Sequence, residues 1–155
     1  MKTLGELLTT VPLEEAAGKL PVSGIEYDSR RVTPGSVFFA FPGSRQDGRA
    51  FAAQAVQKGA VAVVSESPAP AGFAAPWIQV PHGRRALAEM ARRFFDFPDR
   101  RIRLTGITGT NGKTTTAYLI DQCLRALGRR TGMAGTVEYR ILNEVKPAVN
   151  TTRES

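Results

Sequence analysis

Segments with strand-like and helix-like patterns of apolar residues alternate along the first part of the chain. Four segments have the alternating or continuous apolar pattern of short strands: residues 24–28, 36–41, 60–64 and 77–80. Three others place apolar residues at helical spacing: residues 3–9, 47–58 and 84–95. Because helices that alternate with strands pack on the faces of a sheet, this order predicts an α/β fold for residues 1 to about 97.

A second unit is predicted to begin at Pro98, where charged residues replace the apolar periodicity. Its predicted elements are a strand over 103–108, a tight loop over 109–112, a helix over 113–127 and short strands over 133–135 and 137–142. The helix is expected to bury five side chains: Leu119, Ile120, Cys123, Leu124 and Leu127. The predicted domains are therefore residues 1–97 and 98–155.

The second predicted domain is short for a parallel-sheet nucleotide domain, in which each crossover unit takes about 30 residues. Residues 98–155 would form few strands and leave at least one face of their sheet uncovered. We therefore expect the chain to be part of a longer protein.

The formal charge of +7 first suggests nucleic acid as a partner. No helix-turn-helix pattern or aromatic-rich RNA-binding pattern accompanies that charge, and a solvated helix face is the preferred interpretation. Most of the arginines lie on or just after the helix predicted at 84–95: Arg84, Arg85, Arg92, Arg93, Arg100, Arg101 and Arg103. At 42% hydrophobic, the chain can bury a core and is not a disordered tail.

Other classes of protein are also disfavoured. The sequence has neither an apolar run long enough to span a bilayer nor a signal-peptide pattern, which predicts a cytoplasmic protein. Cys123 is the only cysteine, so an internal disulfide is excluded, and its apolar position predicts a buried packing residue. His82, the only histidine, has no neighbouring cysteines and makes a poor metal site.

The strongest chemical signal is the segment Thr108–Thr115, which reads TGTNGKTT between a predicted strand and a predicted helix. Its glycines let the loop curl so that backbone N–H groups point inward, and the helix start adds free N–H donors. Lys113 would reach the β- and γ-phosphates of ATP, and the Thr114 hydroxyl would bind the Mg²⁺ that bridges them. The usual phosphate-loop pattern has a glycine where this chain has Ile107.

The segment Gly106–Thr116 closely resembles the ATP loop of Mur ligases, which build the peptide of bacterial cell-wall precursors. Other segments resemble further motifs of that family and occur in the same order along the chain. Asp28-Ser29-Arg30 with residues 35–40, and Asp47-Gly48-Arg49 with residues 59–63, resemble the N-terminal domain of the MurE and MurF types. Residues 135–140 and 150–152 favour the MurE type. The likeness extends over essentially the whole chain.

The resemblance implies a small N-terminal α/β domain that binds a UDP-sugar, followed by the start of an ATP-binding α/β central domain. The implied reaction couples ATP hydrolysis to the addition of a diamino acid to UDP-N-acetylmuramoyl-L-alanyl-D-glutamate through an acyl phosphate. The sequence leaves open whether that amino acid is diaminopimelate or L-lysine, and it does not indicate an oligomeric state. The family's remaining catalytic groups and its Asn-Pro-Arg motif fall outside residues 1–155, so we expect this chain alone to form no product.

The resemblance also implies which residues form the sites. ATP would be held by Gly109, Thr110, Asn111, Gly112, Lys113, Thr114 and Thr115, with Mg²⁺ on Thr114. The UDP-sugar substrate would contact Tyr27, Ser29, Ser44, Arg45, Gln46, Asn150, Thr151 and Thr152. Tyr27 and residues 44–46 match the family by position only, so we expect backbone contacts from them. Arg153 stands where the family usually has a proline, which loosens the substrate loop.

Several alternatives stay open at this point. The chain could belong to a ligase of the MurF type, which adds a dipeptide at the next step. It could also be a basic nucleic-acid-binding protein with a phosphate loop, or a module that binds UDP-sugars without turnover. The turn at Asp28 and Ser29 could be purely structural, with hydrogen bonds that hold two strands together.

Overall fold

A computed structural model describes residues 1–42 and 47–148 of the chain. Within them the chain forms two compact units, one spanning Met1–Ile102 and a second that begins at Arg103. The domain boundary placed after residue 97 stays a prediction, since contacts that define compact units do not establish separate folding. Each unit is described by itself.

Short strands and helices alternate in the first unit. Its strands are β1 (Lys2–Thr3), β2 (Pro21–Val22), β3 (Gly24–Glu26), β4 (Ser36–Ala40), β5 (Ala62–Ser65) and β6 (Trp77–Gln79). Its α-helices are α1 (Leu4–Leu7), α2 (Glu15–Gly18), α3 (Ala52–Gln57) and α4 (Gly83–Phe94). Two 3-10 turns precede α3 and follow α4: Gly48–Phe51 and Pro98–Arg101. The sequence did not predict β1, β2 and α2, because elements of two to four residues are too short to show a period.

A parallel sheet with the order β3-β4-β5-β6 forms the centre of the first unit. The side chains of β4 and β5 are buried along the whole length of both strands. Continuous burial is expected where helices cover both faces of a parallel sheet, and it explains the unbroken apolar runs in the sequence. The predicted α/β fold is confirmed.

Helices cover both faces of this sheet. On one face, α1 and α4 pack against β4 and β5 through these residues: Leu4, Leu7, Val37, Phe39, Val64, Leu87 and Met90. On the other face α3 supplies the packing, through these residues: Phe38, Ala40, Ala52, Ala55 and Val63. Asp47 accepts a hydrogen bond from the backbone N–H of Arg49, which confirms it as the predicted cap.

The second unit consists of one helix and a small antiparallel sheet. The helix is α5 (Lys113–Ala126), and the strands are β7 (Gly132–Ala134), β8 (Glu138–Ile141) and β9 (Glu144–Pro147). The sheet has the order β7-β8-β9. The predicted helix and the strands at 133–135 and 137–142 are confirmed within a residue or two at their ends. β9 was not predicted, because two of its four side chains are charged and all four are exposed.

Two predictions for the second unit are wrong. Residues 103–108 do not form a strand. A strand exists only with a hydrogen-bonded neighbour, and no strand of the described residues pairs with this segment. The sequence pattern shows that a segment can form a strand, whereas pairing depends on a partner.

The apolar face of α5 is also exposed rather than buried. Leu119 is 62% exposed and Leu127 is 75% exposed, while Ile120, Leu124 and Cys123 are exposed as well. The residue of α5 that is buried is Asp121, with 4% exposure. An amphipathic pattern identifies the apolar side of a helix, but burial requires an element that covers it. None of the helices in the described ranges has both the length and the apolar composition to cross a bilayer.

Candidate nucleotide and substrate sites

The predicted phosphate loop adopts a backbone that requires glycine. Gly109 has φ +147° and Gly112 has φ +76°, conformations that side chains with a Cβ rarely adopt. Gly112 is the N-cap of α5, so the turn it makes aims the chain directly into the helix. The first hydrogen bond of the helix runs from the N–H of Thr116 to the carbonyl of Gly112, at 2.9 Å. The N–H groups of the three residues before Thr116 therefore lie ahead of the helical ladder and can bind an anion.

Lys113 lies back over this loop. Its Nζ atom donates hydrogen bonds to the carbonyl oxygen of Gly109 at 2.6 Å and to that of Thr110 at 3.3 Å. The ammonium group is thus held within the turn formed by residues 109–112, where a phosphate bound to the loop would lie next to it. A phosphate oxygen carries more negative charge than a carbonyl oxygen, so it would compete well for the same ammonium group.

The residues after Lys113 present hydroxyl groups on the first turn of α5. Thr114 and Thr115 are exposed. Among residues 1–42 and 47–148, no three carboxylate, histidine or cysteine side chains come close enough to hold a metal ion. The Thr114 hydroxyl on this exposed turn is the group that the sequence predicts to bind a magnesium ion.

Two predicted substrate residues, Tyr27 and Ser29, follow β3 at the carboxyl end of the sheet. Ser29 is 7% exposed, and its hydroxyl forms a hydrogen bond of 3.0 Å with Oε1 of Gln54. The Nζ atom of Lys58 donates to the carbonyl oxygens of Ser29 at 3.0 Å and Arg30 at 3.1 Å. Tyr27, by contrast, is 38% exposed. The turn is therefore tied firmly to α3 and to the residue after it, while the side chain of Tyr27 stays accessible.

Asp28 fixes the shape of the same turn. Its carboxylate accepts hydrogen bonds from the backbone N–H of Arg30 at 3.0 Å and from Nη2 of the Arg30 guanidinium at 2.7 Å. The hydrogen bonds from the Arg30 side chain are the main reason that the pKa of Asp28 is lowered to about 2. These hydrogen bonds lie within the turn, and those of Ser29 and Lys58 tie it to α3 and the residue after it, so the turn is held to a helix rather than between two strands.

Other polar groups lie at the same edge of the sheet, in segments where no sequence motif was identified. Glu66 follows β5, and its Oε1 atom accepts a hydrogen bond from the backbone N–H of Gly83 at 2.8 Å. The guanidinium of Arg84 lies over the ring of Phe41, 5.1 Å from its centre. Their position near the carboxyl ends of buried parallel strands could have identified them as candidate site residues. Loops at this edge of a parallel sheet commonly form ligand sites.

Six predicted substrate residues lie outside the described residues: Ser44, Arg45, Gln46, Asn150, Thr151 and Thr152. The ends of the first of these loops are nonetheless held together. Pro42 and Asp47 form an antiparallel bridge, and the N–H of Gly48 donates to the carbonyl of Phe41 at 2.8 Å. A Cβ atom at Gly48 would come within 2.6 Å of that carbonyl oxygen, so this close approach requires glycine.

Two family models match the chain. The model described as "Mur ligase family, catalytic domain" matches residues 21–95, and "Mur ligase middle domain" matches residues 107–155. The second match covers the phosphate loop, α5 and the antiparallel sheet.

Two similar curated proteins carry the same name. The chain is 62% identical over 156 residues to the UDP-N-acetylmuramoyl-L-alanyl-D-glutamate--2,6-diaminopimelate ligase of Solibacter usitatus, with 98% of this chain and 32% of that protein covered. It is 48% identical over 138 residues to the ligase of the same name from Geobacillus thermodenitrificans, with 89% of this chain and 28% of that protein covered. The chain thus spans about a third of the length of the curated relatives it matches.

Solved structures agree with this similarity. A structure of UDP-N-acetylmuramoyl-L-alanyl-D-glutamate--2,6-diaminopimelate ligase matches with a TM-score of 0.77 and 29% identity, over 97% of this chain and 31% of that one. The MurF ligase of Thermotoga maritima in complex with ADP matches with a TM-score of 0.51 and 28% identity, over 69% of this chain and 24% of that one. Together with the two family models and the relative that is 62% identical, these matches establish that the chain belongs to the Mur ligase family.

Proposed function

We propose that the phosphate loop binds Mg-ATP and that the chain is part of an ATP-dependent amide ligase of peptidoglycan precursor synthesis. The observation that carries the proposal is the position of Lys113 at the start of α5, directly after Gly112, with its Nζ atom 2.6 Å from the Gly109 carbonyl. The loop therefore combines the free N–H groups of a helix N-terminus with the Lys113 ammonium, which are groups that recognise a triphosphate.

The proposed acceptor substrate is UDP-N-acetylmuramoyl-L-alanyl-D-glutamate, and the proposed amino acid is diaminopimelate. Both are taken from the names of relatives that are 62% and 48% identical. We propose Tyr27 and Ser29 as contacts to the UDP-sugar. Ser29 is 7% exposed and already bonded to Gln54, so its turn would contact the substrate mainly through its backbone. The loops at 44–46 and 150–152 remain proposed contacts from the sequence.

The chemistry requires activation of a carboxylate. A carboxylate oxygen of the substrate would attack the γ-phosphorus of ATP, the bond to the β-phosphate oxygen would break, and ADP would leave. The amine of the diamino acid would then attack the acyl carbon, phosphate would leave with the bonding electrons, and the nitrogen would lose a proton. Lys113 would neutralise charge on the β- and γ-phosphates during the first transfer. Mg²⁺, when bound at Thr114, supplies further positive charge to the same oxygens.

Isothermal titration of the chain with Mg-ATP tests the nucleotide site. Lys113→Met should weaken binding by at least about tenfold, because the ammonium that faces the phosphates is lost. Lys146→Met is the matched control, since the side chain of Lys146 is 66% exposed and pairs with Glu144 on β9. Equal affinities of the two variants for Mg-ATP would contradict the proposed role of Lys113.

Titration with UDP-N-acetylmuramoyl-L-alanyl-D-glutamate tests the substrate site. Binding of this compound should raise the melting temperature of the chain, and the MurF-type substrate that carries a further amino acid should raise it less. A module that only binds UDP-sugars would show the same shift with UDP-N-acetylglucosamine. That result would overturn the proposed specificity for the muramyl dipeptide.

The nucleic-acid interpretation has less support. Arg92, Arg93 and Arg100 surround the ring of Phe97, with guanidinium carbons 5.6, 5.8 and 4.2 Å from its centre. Arg92 also pairs with Asp99 at 2.7 Å, so this part of the basic cluster is used within the first unit. Affinity for unrelated oligonucleotides that falls steeply with salt would revive the interpretation.

A further inference from the structure

The second unit is held together by a polar network rather than by an apolar core. Among its described residues, Tyr139 is the buried apolar side chain, with 7% exposure. The buried group at the centre is Asp121, which is 4% exposed and lies two turns into α5. Burying a charged carboxylate is unfavourable unless hydrogen bonds and ion pairs compensate for the lost water, so the partners of Asp121 must stabilise it.

Asp121 has partners on its own helix and on the sheet. Its Oδ1 atom accepts a hydrogen bond from the Thr131 hydroxyl at 2.5 Å, just before β7. Its Oδ2 atom accepts one from Nε of Arg125 at 2.9 Å and lies 3.8 Å from Nη1 of Arg140 on β8. Burial raises the pKa of Asp121, but hydrogen bonds from Thr131 and Arg125 outweigh it and hold the pKa below its ordinary value. The carboxylate is therefore charged near neutral pH and bridges α5 to the start of the sheet.

The contacts around Asp121 extend along the same side of the helix. The guanidinium of Arg140 pairs with Glu138 at 2.7 Å and lies 5.4 Å from the ring centre of Tyr118. At the next turn of α5, Nη2 of Arg125 donates to the carbonyl of Leu142 at 2.6 Å, where β8 turns into β9. Positions 118, 121 and 125 share one helix face, so this face as a whole fixes the position of β8.

We propose that Asp121 is a positioning residue that couples the phosphate loop to the β8–β9 hairpin. The inference rests on the proposed nucleotide site. Lys113 and Asp121 lie on one continuous helix, about 12 Å apart along its axis at 1.5 Å per residue. A shift of the helix start on nucleotide binding therefore moves Asp121, and Asp121 moves the strand to which it is bonded.

The hairpin leads to the loop that the sequence assigns to substrate. β9 ends at Pro147, and the N–H of Ala148 donates to the carbonyl of Val137 at 3.1 Å. The strand that Asp121 anchors thus fixes where the chain leaves toward residues 150–152. Nucleotide binding would in this way affect the stability of the β8–β9 hairpin, which lies far along the chain from the phosphate loop.

Hydrogen exchange measured by mass spectrometry on the full chain tests this coupling. Asp121→Asn keeps the size of the side chain and removes its charge. Without nucleotide, peptides that cover 132–147 should exchange at least about tenfold faster in this variant than in the wild type. With Mg-ATP, the same peptides should exchange more slowly in the wild type and show no slowing in Asp121→Asn. Affinity for Mg-ATP should differ by less than about threefold, because Asp121 does not touch the loop.

Glu144→Gln is the control, because it removes one negative charge from the hairpin at a side chain that is 73% exposed. It should respond to Mg-ATP like the wild type. Thr131→Val removes a single partner of Asp121 and should give an intermediate response, which keeps the test valid if Asp121→Asn unfolds.

The outcomes separate the inference from the proposed function. If Asp121→Asn binds Mg-ATP and its hairpin is slowed as in the wild type, the coupling is refuted while the nucleotide site stands. If the wild type binds no Mg-ATP, the proposed function fails and the coupling with it. If Mg-ATP slows hydrogen exchange of the hairpin in the wild type and in Glu144→Gln but not in the variants of the Asp121 network, the result supports both the nucleotide site and the coupling.

Discussion

The Glu66 carboxylate, just after β5, accepts a hydrogen bond of 2.8 Å from the backbone N–H of Gly83 and so caps the start of α4. His82 is the N-cap residue of α4 but its side chain forms no capping hydrogen bond. A carboxylate at this end of the helix is favourable because it satisfies a free N–H group and opposes the positive end of the helix dipole. Glu66 thereby links β5 to α4 across the edge of the sheet.

Glu66→Ala should destabilise the first unit by about 1 kcal/mol, as expected for the loss of a helix cap. Glu66→Gln keeps an acceptor and should cost less, which separates the hydrogen bond from the charge. Unfolding in urea can be followed through the fluorescence of Trp77, the only tryptophan of the chain. Glu89→Ala breaks an exposed pair with Arg85 on the same helix and should cost less than about 0.5 kcal/mol. Equal effects at Glu66 and Glu89 would argue against the capping role.

Asp28 should make stability depend on pH in the acid range. Its pKa falls from an ordinary value of 3.8 to about 2, chiefly through hydrogen bonds from Arg30. Because the folded pKa is the lower one, the contribution is fully present above about pH 4 and is lost as the pH falls toward 2. The stability difference between wild type and Asp28→Asn should therefore shrink between pH 5 and pH 2.

Urea unfolding at several pH values measures this difference directly. Glu14→Gln serves as the control for removal of one exposed carboxylate. A difference between wild type and Asp28→Asn that is constant from pH 5 to pH 2 would show that the pairing with Arg30 adds nothing to folding.

Gly59, in the turn after α3, should tolerate substitution poorly. It has φ +98°, and a Cβ atom there would lie 2.8 Å from the Cα atom of Pro34. Gly59→Ala adds a backbone clash to a strained conformation and should cost roughly 2–4 kcal/mol. Gly72 has φ +73° with nothing within 4 Å, so Gly72→Ala should show the backbone term alone, about 1 kcal/mol. A similar loss of stability at both positions would indicate that the contact with Pro34 relaxes without cost.

The side chain of Thr114 should contribute to ATP affinity only when magnesium is present. Thr114→Ala removes the hydroxyl proposed to bind Mg²⁺ but leaves the backbone donors and Lys113 in place. Affinity for ATP should fall by about tenfold in Mg²⁺ and change little in EDTA, and Thr114→Ser should restore it. Titration calorimetry in the two buffers checks this. A loss of equal size in EDTA would assign the Thr114 side chain to the loop's folding instead.

The sequence predicted well the elements that are buried on both sides. β4 and β5 read as continuous apolar runs because helices cover both faces of their sheet, and Leu87 and Met90 marked the buried face of α4. The start of α5 was predicted from Gly112 and Lys113, since local backbone requirements determine a helix start. The roles of the loop residues and of the substrate residues stay predictions.

The failures share one physical cause. The strand expected at 103–108 and the buried face expected on α5 both depend on partners that the described residues do not supply. The burial of Asp121 could not be read from hydropathy, because it follows from hydrogen bonds to Thr131 and Arg125. Local sequence determines what an element can bury, whereas tertiary contacts determine what it does bury.

The pairing distances along the chain have a consequence for folding kinetics. In the parallel sheet, Val37 pairs with Ala62 and Val63 with Trp77, so each pairing must first close a long loop. In the antiparallel sheet, Ile141 pairs with Glu144 across a tight turn. Sheets built from local pairings form faster than those built from distant ones. During refolding of the whole chain, the parallel sheet should therefore form late, and its apolar central strands stay unpaired and open to aggregation for longest.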